Sequence, residues 1–122
     1  MLLAYHHVQV NIPVGEESAA REFYCGVLGL TEIEKPEVIR YRGGFWLQVG
    51  DSQLHIGTEE GVDRSKTKSH IAYRVSNVDF WRQKLNALEI ETQEGISIPG
   101  VADRLDFRDP FANKIEFIQL QV

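Results

Sequence analysis

The sequence repeats two strand-like stretches that each begin with histidine, HVQVNI at residues 7–12 and HIAYRV at residues 70–75. Two shorter stretches, LHI at residues 54–56 and IEF at residues 115–117, each hold one metal-donor side chain between apolar neighbours. The first pair lies 63 residues apart and the second pair 61 residues apart. Self-similarity at a nearly constant offset indicates a duplicated unit. We therefore predict an α+β fold of two βαβββ modules, with a curved mixed sheet and a concave polar site.

The modules are expected to form a single domain over residues 1–122. Module one covers about residues 4–57, a polar linker without apolar periodicity covers about 58–68, and module two covers about 69–122. Each module has apolar residues at helical spacing, which predicts one core-facing helix per module. These residues are Ala20, Phe23, Tyr24, Val27 and Leu28 in module one, and Val78, Trp81, Leu85 and Leu88 after a capping Asn77 in module two. Strands are predicted at 38–41, 45–49, 53–56, 104–108 and 114–121.

Strand periodicity predicts where the donor side chains point. Val8, Val10 and Ile12 alternate with His7, so His7 lies on the face opposite the aliphatic residues. His6 has the opposite parity and is expected on the Val8 side. By the same argument His55, His70 and Glu116 line the open face of the sheet, together with Gln9, Asn11 and Arg74.

Composition excludes several classes of protein. The chain has 122 residues, of which 43% are hydrophobic and 25% charged, as in soluble globular domains. A net charge of −5 without a Lys/Arg block argues against a nucleic-acid partner. No apolar run approaches the roughly 20 residues of a membrane span. Cys25 is the only cysteine, which suits a reducing, cytoplasmic location.

Three imidazoles and one carboxylate at repeat-equivalent positions predict a metal site. Neutral imidazole and carboxylate suit a divalent ion such as Zn²⁺, Ni²⁺, Co²⁺, Mn²⁺ or Fe²⁺. An ion held by four protein groups can keep positions open for water or substrate. The predicted metal ligands are His7, His55, His70 and Glu116.

The motifs resemble those of the vicinal oxygen chelate superfamily, which includes glyoxalase I, extradiol dioxygenases, fosfomycin-resistance and bleomycin-resistance proteins. HVQV at residues 7–10 resembles the first ligand strand, and SHIA at 69–72 the fifth strand. DPFANKIEF at 109–117 resembles the final turn and strand, with Glu116 at the carboxylate-ligand position. The resemblance covers nearly the whole chain. It also implies a homodimer in which each site is shared between two chains.

Two positions depart from the family pattern. Ala112 stands where the family usually has glycine, so the turn must use Asn113 at positive φ or accept strain. His55 stands where glyoxalase I enzymes carry a glutamate that acts as ligand and base. This departure argues against glyoxalase I activity itself and leaves His55 as a fourth ligand or a general base.

The leading hypothesis is a metal-dependent, glyoxalase-like lyase or isomerase acting on a small oxygen-bearing substrate. His55 and Glu116 are the candidate catalytic residues. An anionic substrate group would pair with Arg74, Arg104 or Arg108, and Trp46 would line the pocket.

Two alternatives remain open at this level. A metal-free module could sequester a drug-like ligand, as bleomycin-resistance proteins do, in a pocket lined by the aromatic residues Tyr41, Phe45, Trp46 and Tyr73. Two histidines and one carboxylate also suit Fe²⁺ and O₂, as in a dioxygenase. A fosfomycin-type thiol transferase, which uses the same three donors, ranks below these.

Overall fold

The computed structural model describes residues 1–122, and the chain divides into two compact units, Met1–Val62 and Asp63–Val122. The division falls inside the predicted linker, whereas the grouping of both modules in one domain stays a prediction. The first unit contains β1 (His7–Ile12), α1 (Glu17–Arg21) continued by a π-helical segment (Glu22–Val27), β2 (Thr31–Ile33), a 3₁₀ turn (Glu37–Ile39), β3 (Phe45–Val49) and β4 (Ser52–Thr58). The second unit contains β5 (His70–Arg74), α2 (Val78–Ala87), β6 (Thr92–Glu94), β7 (Val101–Arg108) and β8 (Lys114–Leu120).

The two units have the same sheet topology. Their strand orders are β1-β4-β3-β2 and β5-β8-β7-β6. In each, the first strand lies at the edge and runs parallel to the last strand, while the other pairs are antiparallel. A parallel pair needs a long crossover connection, which the helix and the two middle strands supply. The predicted duplication of a βαβββ unit is therefore confirmed.

The predicted helical stripe of the first unit is buried except at one position. Ala20, Phe23, Tyr24 and Leu28 are at most 9% exposed, whereas Val27 is half-buried. The reason is the π-helical segment, in which the Leu28 N–H donates to the Phe23 carbonyl five residues earlier, at 2.9 Å. This wider turn rotates the following side chains away from ideal α-helical positions.

The second helix begins as predicted and packs through Val78 and Leu85, near its two ends. The Asn77 side chain accepts a hydrogen bond from the Phe80 N–H at 3.0 Å, which caps α2. Val78 and Leu85 are fully buried. Leu88 is 49% exposed because the helix ends at Ala87.

The predicted strand over residues 38–41 is wrong. Residues Glu37–Ile39 form a 3₁₀ turn after Pro36, whose backbone φ of −55° suits the start of a turn. The place beside β3 is taken by β2, where Ile33 pairs with Trp46. Val38 is 80% exposed, so its apolar side chain does not mark a core strand.

In the turn between β7 and β8, the structure shows which residue adopts positive φ, Ala112 or Asn113. Ala112 adopts a φ of 73°, a conformation that L-residues rarely adopt, so the strain is accepted at Ala112. Buried Asp109 holds the turn, because its Oδ1 accepts the backbone N–H groups of Phe111 at 2.9 Å and Asn113 at 2.8 Å. The carboxylate thus stabilises a backbone shape that alanine alone disfavours.

Replacing Ala112 by glycine is expected to stabilise the protein. Glycine removes a left-handed penalty of about 1–2 kcal/mol, and its greater freedom in the unfolded chain offsets part of that gain. We expect the free energy of unfolding to rise by about 0.5–1 kcal/mol, as measured by urea denaturation. Ala102→Gly, within β7, is the matched control and should lower it instead. An unchanged or lower stability of Ala112→Gly would contradict the strain argument.

Candidate functional site

In the first unit, strand register brings His7 and His55 together. β1 and β4 are parallel neighbours, with Gln9 opposite His55, so His7 lies one pleat away on the same face. The two imidazole rings are stacked, with centroids 3.9 Å apart and planes within 11°. Trp46 lies directly opposite His55 on β3, and its ring stacks on His55 at 3.8 Å. The His55 ring is therefore held between two aromatic neighbours and is 5% exposed.

One hydrogen bond sets which nitrogen of His55 is free. His55 Nε2 lies 2.8 Å from Gln53 Oε1, an atom that only accepts. The proton of neutral His55 therefore lies on Nε2, and Nδ1 carries the lone pair. The stacked rings and this hydrogen bond together orient an imidazole that can bind a metal or accept a proton.

Burial lowers the pKa of His55 to about 4, and the positive charges of His7, His6 and Lys35 add to this effect. His55 is therefore neutral at physiological pH. A neutral imidazole is the form required of both a metal ligand and a general base.

This pKa predicts how stability depends on pH in the metal-free protein. Between about pH 6.5 and 4 the unfolded chain binds a proton at His55 that the folded chain does not. Stability is therefore unaffected by this group above pH 6.5, and up to about 3 kcal/mol is lost as the pH falls towards 4. The measurement is urea unfolding at each pH for the wild type and for His55→Gln, because subtracting the two removes the carboxylate contribution. A constant difference between the two proteins across this range would contradict the assignment.

The rest of this face is polar, and Gly57 makes room for it. Gln9 Nε2 donates to Asn11 Oδ1 at 2.9 Å, and Asn11 Nδ2 donates to Glu59 Oε1 at 3.1 Å. A Cβ at Gly57 would lie 2.5 Å from both Asn11 Oδ1 and Gln9 Nε2. Glycine at this position therefore permits the polar chain beside His55.

The parity argument is wrong for His6. This residue precedes β1, so strand alternation does not apply to it. Its Nδ1 lies 2.9 Å from His7 Nδ1, and both side chains line a cavity of about 520 Å³ with His55 and Trp46. The same cavity is lined by Lys35 and Arg42, which sequence reasoning missed because they lie in an irregular segment without periodicity.

In the second unit, His70 and Glu116 form a pair. His70 Nε2 lies 3.0 Å from Glu116 Oε1 across the parallel strands β5 and β8. His70 Nδ1 lies 2.8 Å from the Lys68 carbonyl, which can only accept, so Nδ1 carries a proton. In neutral His70 the Nε2 lone pair then faces a carboxylate oxygen. A proton or a metal ion bound at Nε2 would remove the repulsion between the lone pair and the carboxylate oxygen.

The predicted anion-binding arginines differ in their partners. Arg104 Nη1 donates to Glu116 Oε2 at 3.1 Å, and its Nε donates to the Ile96 carbonyl. Arg108 donates to three backbone carbonyls, those of Arg64, Thr67 and Ala112, and so holds the turn and the segment before β5 in place. The Arg74 side chain is exposed and makes no hydrogen bond or ion pair in the structure.

The four predicted donors therefore occur as two pairs, one imidazole pair in the first unit and one imidazole–carboxylate pair in the second. The structure contains no group of three or more His, Cys, Asp or Glu side chains that could hold a metal ion. The donor chemistry of each pair fits a divalent ion, since both consist of neutral nitrogen or carboxylate oxygen ligands. The complete ligand set stays a prediction.

The fold and these paired donors define a protein of the vicinal oxygen chelate type. The chain belongs to the Glyoxalase/Bleomycin resistance protein/Dioxygenase superfamily, whose family model matches residues 4–117. No match was found among curated proteins. None of the helices is long and apolar enough to span a membrane.

Solved structures extend the likeness over the full chain. A protein of Bacillus anthracis described as belonging to the glyoxalase family is 38% identical, with a TM-score of 0.91, and 99% of this chain and 98% of that chain are covered. The E126Q mutant of fosfomycin resistance protein FosX from Listeria monocytogenes, complexed with Mn(II) and 1S,2S-dihydroxypropylphosphonic acid, has 16% identity and a TM-score of 0.83, covering 100% and 95%. Lactoylglutathione lyase from Agrobacterium tumefaciens has 20% identity and a TM-score of 0.73, covering 95% and 92%. The last two similarities show the shared fold.

Proposed function

We propose that this protein is a metal-dependent enzyme, a glyoxalase-like lyase or isomerase acting on a small oxygen-bearing substrate. The observation that carries this proposal is the environment of His70, whose Nδ1 donates to a carbonyl while Nε2 faces Glu116. Metal-bound histidines typically donate their second ring N–H to such a carbonyl. The FosX structure with Mn(II) supports metal use within this fold.

The proposed ligands are His7, His55, His70 and Glu116, with Zn²⁺, Ni²⁺, Co²⁺, Mn²⁺ or Fe²⁺ as the ion. When bound, the ion would supply Lewis-acid polarisation of substrate oxygen atoms. His55 is the proposed proton acceptor if it is not a ligand, because its Nδ1 lone pair is free and its ring is fixed by His7 and Trp46. Glu116, 7% exposed, is the proposed catalytic carboxylate.

Among the predicted substrate partners, the structure favours Arg74. The side chain of Arg104 donates hydrogen bonds to Glu116 and to a backbone carbonyl, and the side chain of Arg108 donates to backbone carbonyls. Arg74 lies on the same strand as His70, two pleats along, and keeps its guanidinium exposed. It can therefore pair with an anionic group at little cost in lost internal contacts.

The test of this proposal is calorimetric titration of chelator-treated protein with each candidate ion, followed by metal analysis. We expect about one ion per chain with at least one of the five metals. Fe²⁺ binding accompanied by O₂ consumption would select the dioxygenase reaction. No binding of any ion would overturn the metal-dependent proposal.

We further propose a homodimer in which each chain contributes one donor pair to each of two sites. Support comes from the occurrence of the four donors as two pairs, one within each unit. An isologous dimer is also the commonest oligomer.

Subunit mixing tests this arrangement. One variant carries His7→Ala with His55→Ala, and the other carries His70→Ala with Glu116→Ala. Each homodimer should bind no metal, whereas the mixed dimer should regain one intact site, measured as bound metal per dimer. Mixed dimers that bind no metal would contradict sites shared between chains.

A metal-free binding module is the second candidate, favoured by one observation. Arg104 already supplies a positive charge to Glu116 at 3.1 Å, so the carboxylate has a protein partner without an ion. In that case the cavity beside Trp46 would hold the ligand. Of the other aromatics considered for such a pocket, Phe45 is buried in the core and Tyr41 is 79% exposed.

A further inference from the structure

The cavity of the first unit is lined by two cationic side chains, Lys35 and Arg42, although the protein as a whole is acidic. Three histidines, Lys35 and Arg42 line it, and none of its lining residues is Asp or Glu. A concave surface of one charge concentrates ligands of the opposite charge.

Arg42 is the arginine of this unit that lacks an acidic partner. Arg21 pairs with Glu32, and Arg40 pairs with Glu34. Arg42 instead donates through Nε to Tyr41 Oη at 3.3 Å and lies over the Tyr41 ring. Its two terminal nitrogens make no hydrogen bond in the structure. The guanidinium is thus oriented by an aromatic neighbour, and the nitrogens that usually bind an oxyanion remain available.

Lys35 and a glycine pair fix the backbone that carries Arg42. Lys35 Nζ donates to the carbonyls of Arg42 at 2.6 Å and Gly43 at 3.3 Å, which leaves its charge without a counter-ion. Gly44 adopts a φ of 91°, and a Cβ there would lie 1.9 Å from the Ile56 carbonyl oxygen. Glycine therefore allows this segment to lie directly against β4, so that Arg42 and Lys35 face the cavity.

We propose that Arg42 and Lys35 form a subsite for an oxyanion, the carboxylate or phosphonate/phosphate group of a small-molecule ligand. The volume of about 520 Å³ suits a small ligand, and the Trp46 ring offers it an apolar wall. The same cavity is lined by His7 and His55, so the inference rests on the proposed function and adds Arg42 and Lys35 to Arg74 as partners of a substrate anion. Since Lys35 and Arg42 are not among the proposed metal ligands, anion binding can be measured without metal.

The experiment is an NMR titration of ¹⁵N-labelled, chelator-treated full-length protein at constant ionic strength. The probes are inorganic phosphate, propionate and the neutral isostere propionamide. We expect saturable shifts of the Gly43 amide and the Trp46 indole N–H with at least one anion, and none with propionamide. The anion that saturates identifies the group as phosphate-like or carboxylate. Shifts with neither anion, or equal shifts with propionamide, would overturn the subsite.

Arg42→Ala and Arg40→Ala form the matched pair of variants. Arg40 is two residues away but pairs with Glu34 and does not line the cavity. We expect Arg42→Ala to weaken anion binding by roughly tenfold or more, as for loss of charge-assisted hydrogen bonds, and Arg40→Ala to leave it unchanged. Equal affinities in the two variants would refute the assignment. Metal titration of Arg42→Ala, expected to match the wild type, separates failure of the subsite from failure of the metal-dependent function.

Discussion

Glu116→Gln is expected to reduce divalent-metal affinity by more than about 100-fold. Glutamine keeps the size of the side chain but removes the charged oxygen that faces His70 Nε2. Removing a group that only hydrogen-bonds to a metal ligand typically lowers metal affinity by about 10–100-fold. Removing the ligand itself should therefore lower metal affinity further. The measurement is calorimetric titration of metal-free protein, with the thermal unfolding midpoint as a check of folding.

Asp106→Asn is the matched control for Glu116. Asp106 lies directly opposite Glu116 in the β7–β8 register, on the same face, but its carboxylate lies near Lys114 Nζ at 3.7 Å. We expect metal affinity to stay within about twofold of the wild type, because Asp106 is not among the proposed ligands and its half-buried carboxylate lies beside a cation. Full metal binding by Glu116→Gln, or equal losses in both variants, would remove Glu116 from the ligand set.

Arg104→Met is expected to lower the free energy of unfolding of the metal-free protein by about 2–3 kcal/mol. The variant leaves the Glu116 carboxylate, 7% exposed, with His70 as its remaining side-chain partner. Breaking a buried ion pair typically costs about 3–5 kcal/mol, and the partial exposure of Arg104 reduces this. Urea denaturation at neutral pH measures the change.

The double variant Arg104→Met with Glu116→Gln separates charge from packing. Removing the charge of Glu116 should recover much of the stability, because no buried anion is then left without its cation. Arg74→Met is the control, since Arg74 is exposed and unpaired, and we expect a change within about 0.5 kcal/mol. A loss in the double variant as large as in Arg104→Met alone would assign the effect to packing.

Local alternation along the strands predicted that His7 shares a face of the sheet with Gln9. The register places Gln9 opposite His55, and the His7 ring, on the same face as Gln9, stacks on the His55 ring. The duplicated pattern likewise predicted the topology, because side-chain period and repeat spacing are properties of the chain itself. The same alternation wrongly predicted a strand at residues 38–41, where the chain forms a 3₁₀ turn. Pairing with neighbouring strands decides whether a stretch joins the sheet, and β2 takes the place beside β3.

Contacts between residues distant in the chain could not be read from pattern. Arg104 and Arg108 have similar sequence surroundings, yet the first pairs with Glu116 and the second with backbone carbonyls. Arg42 and Lys35 lie in an irregular segment, and only packing against β4 brings them to the cavity of His55.

The sequence by itself determined the duplicated fold and the four candidate donors, because side-chain period and repeat spacing are properties of the chain. Only the tertiary structure decided how charges are shared: Glu116 between His70 and Arg104, and Arg42 unpaired beside the histidine cavity. The physical reason is that ion pairs and hydrogen bonds depend on distances of a few ångströms between side chains far apart in sequence. Tertiary packing sets those distances.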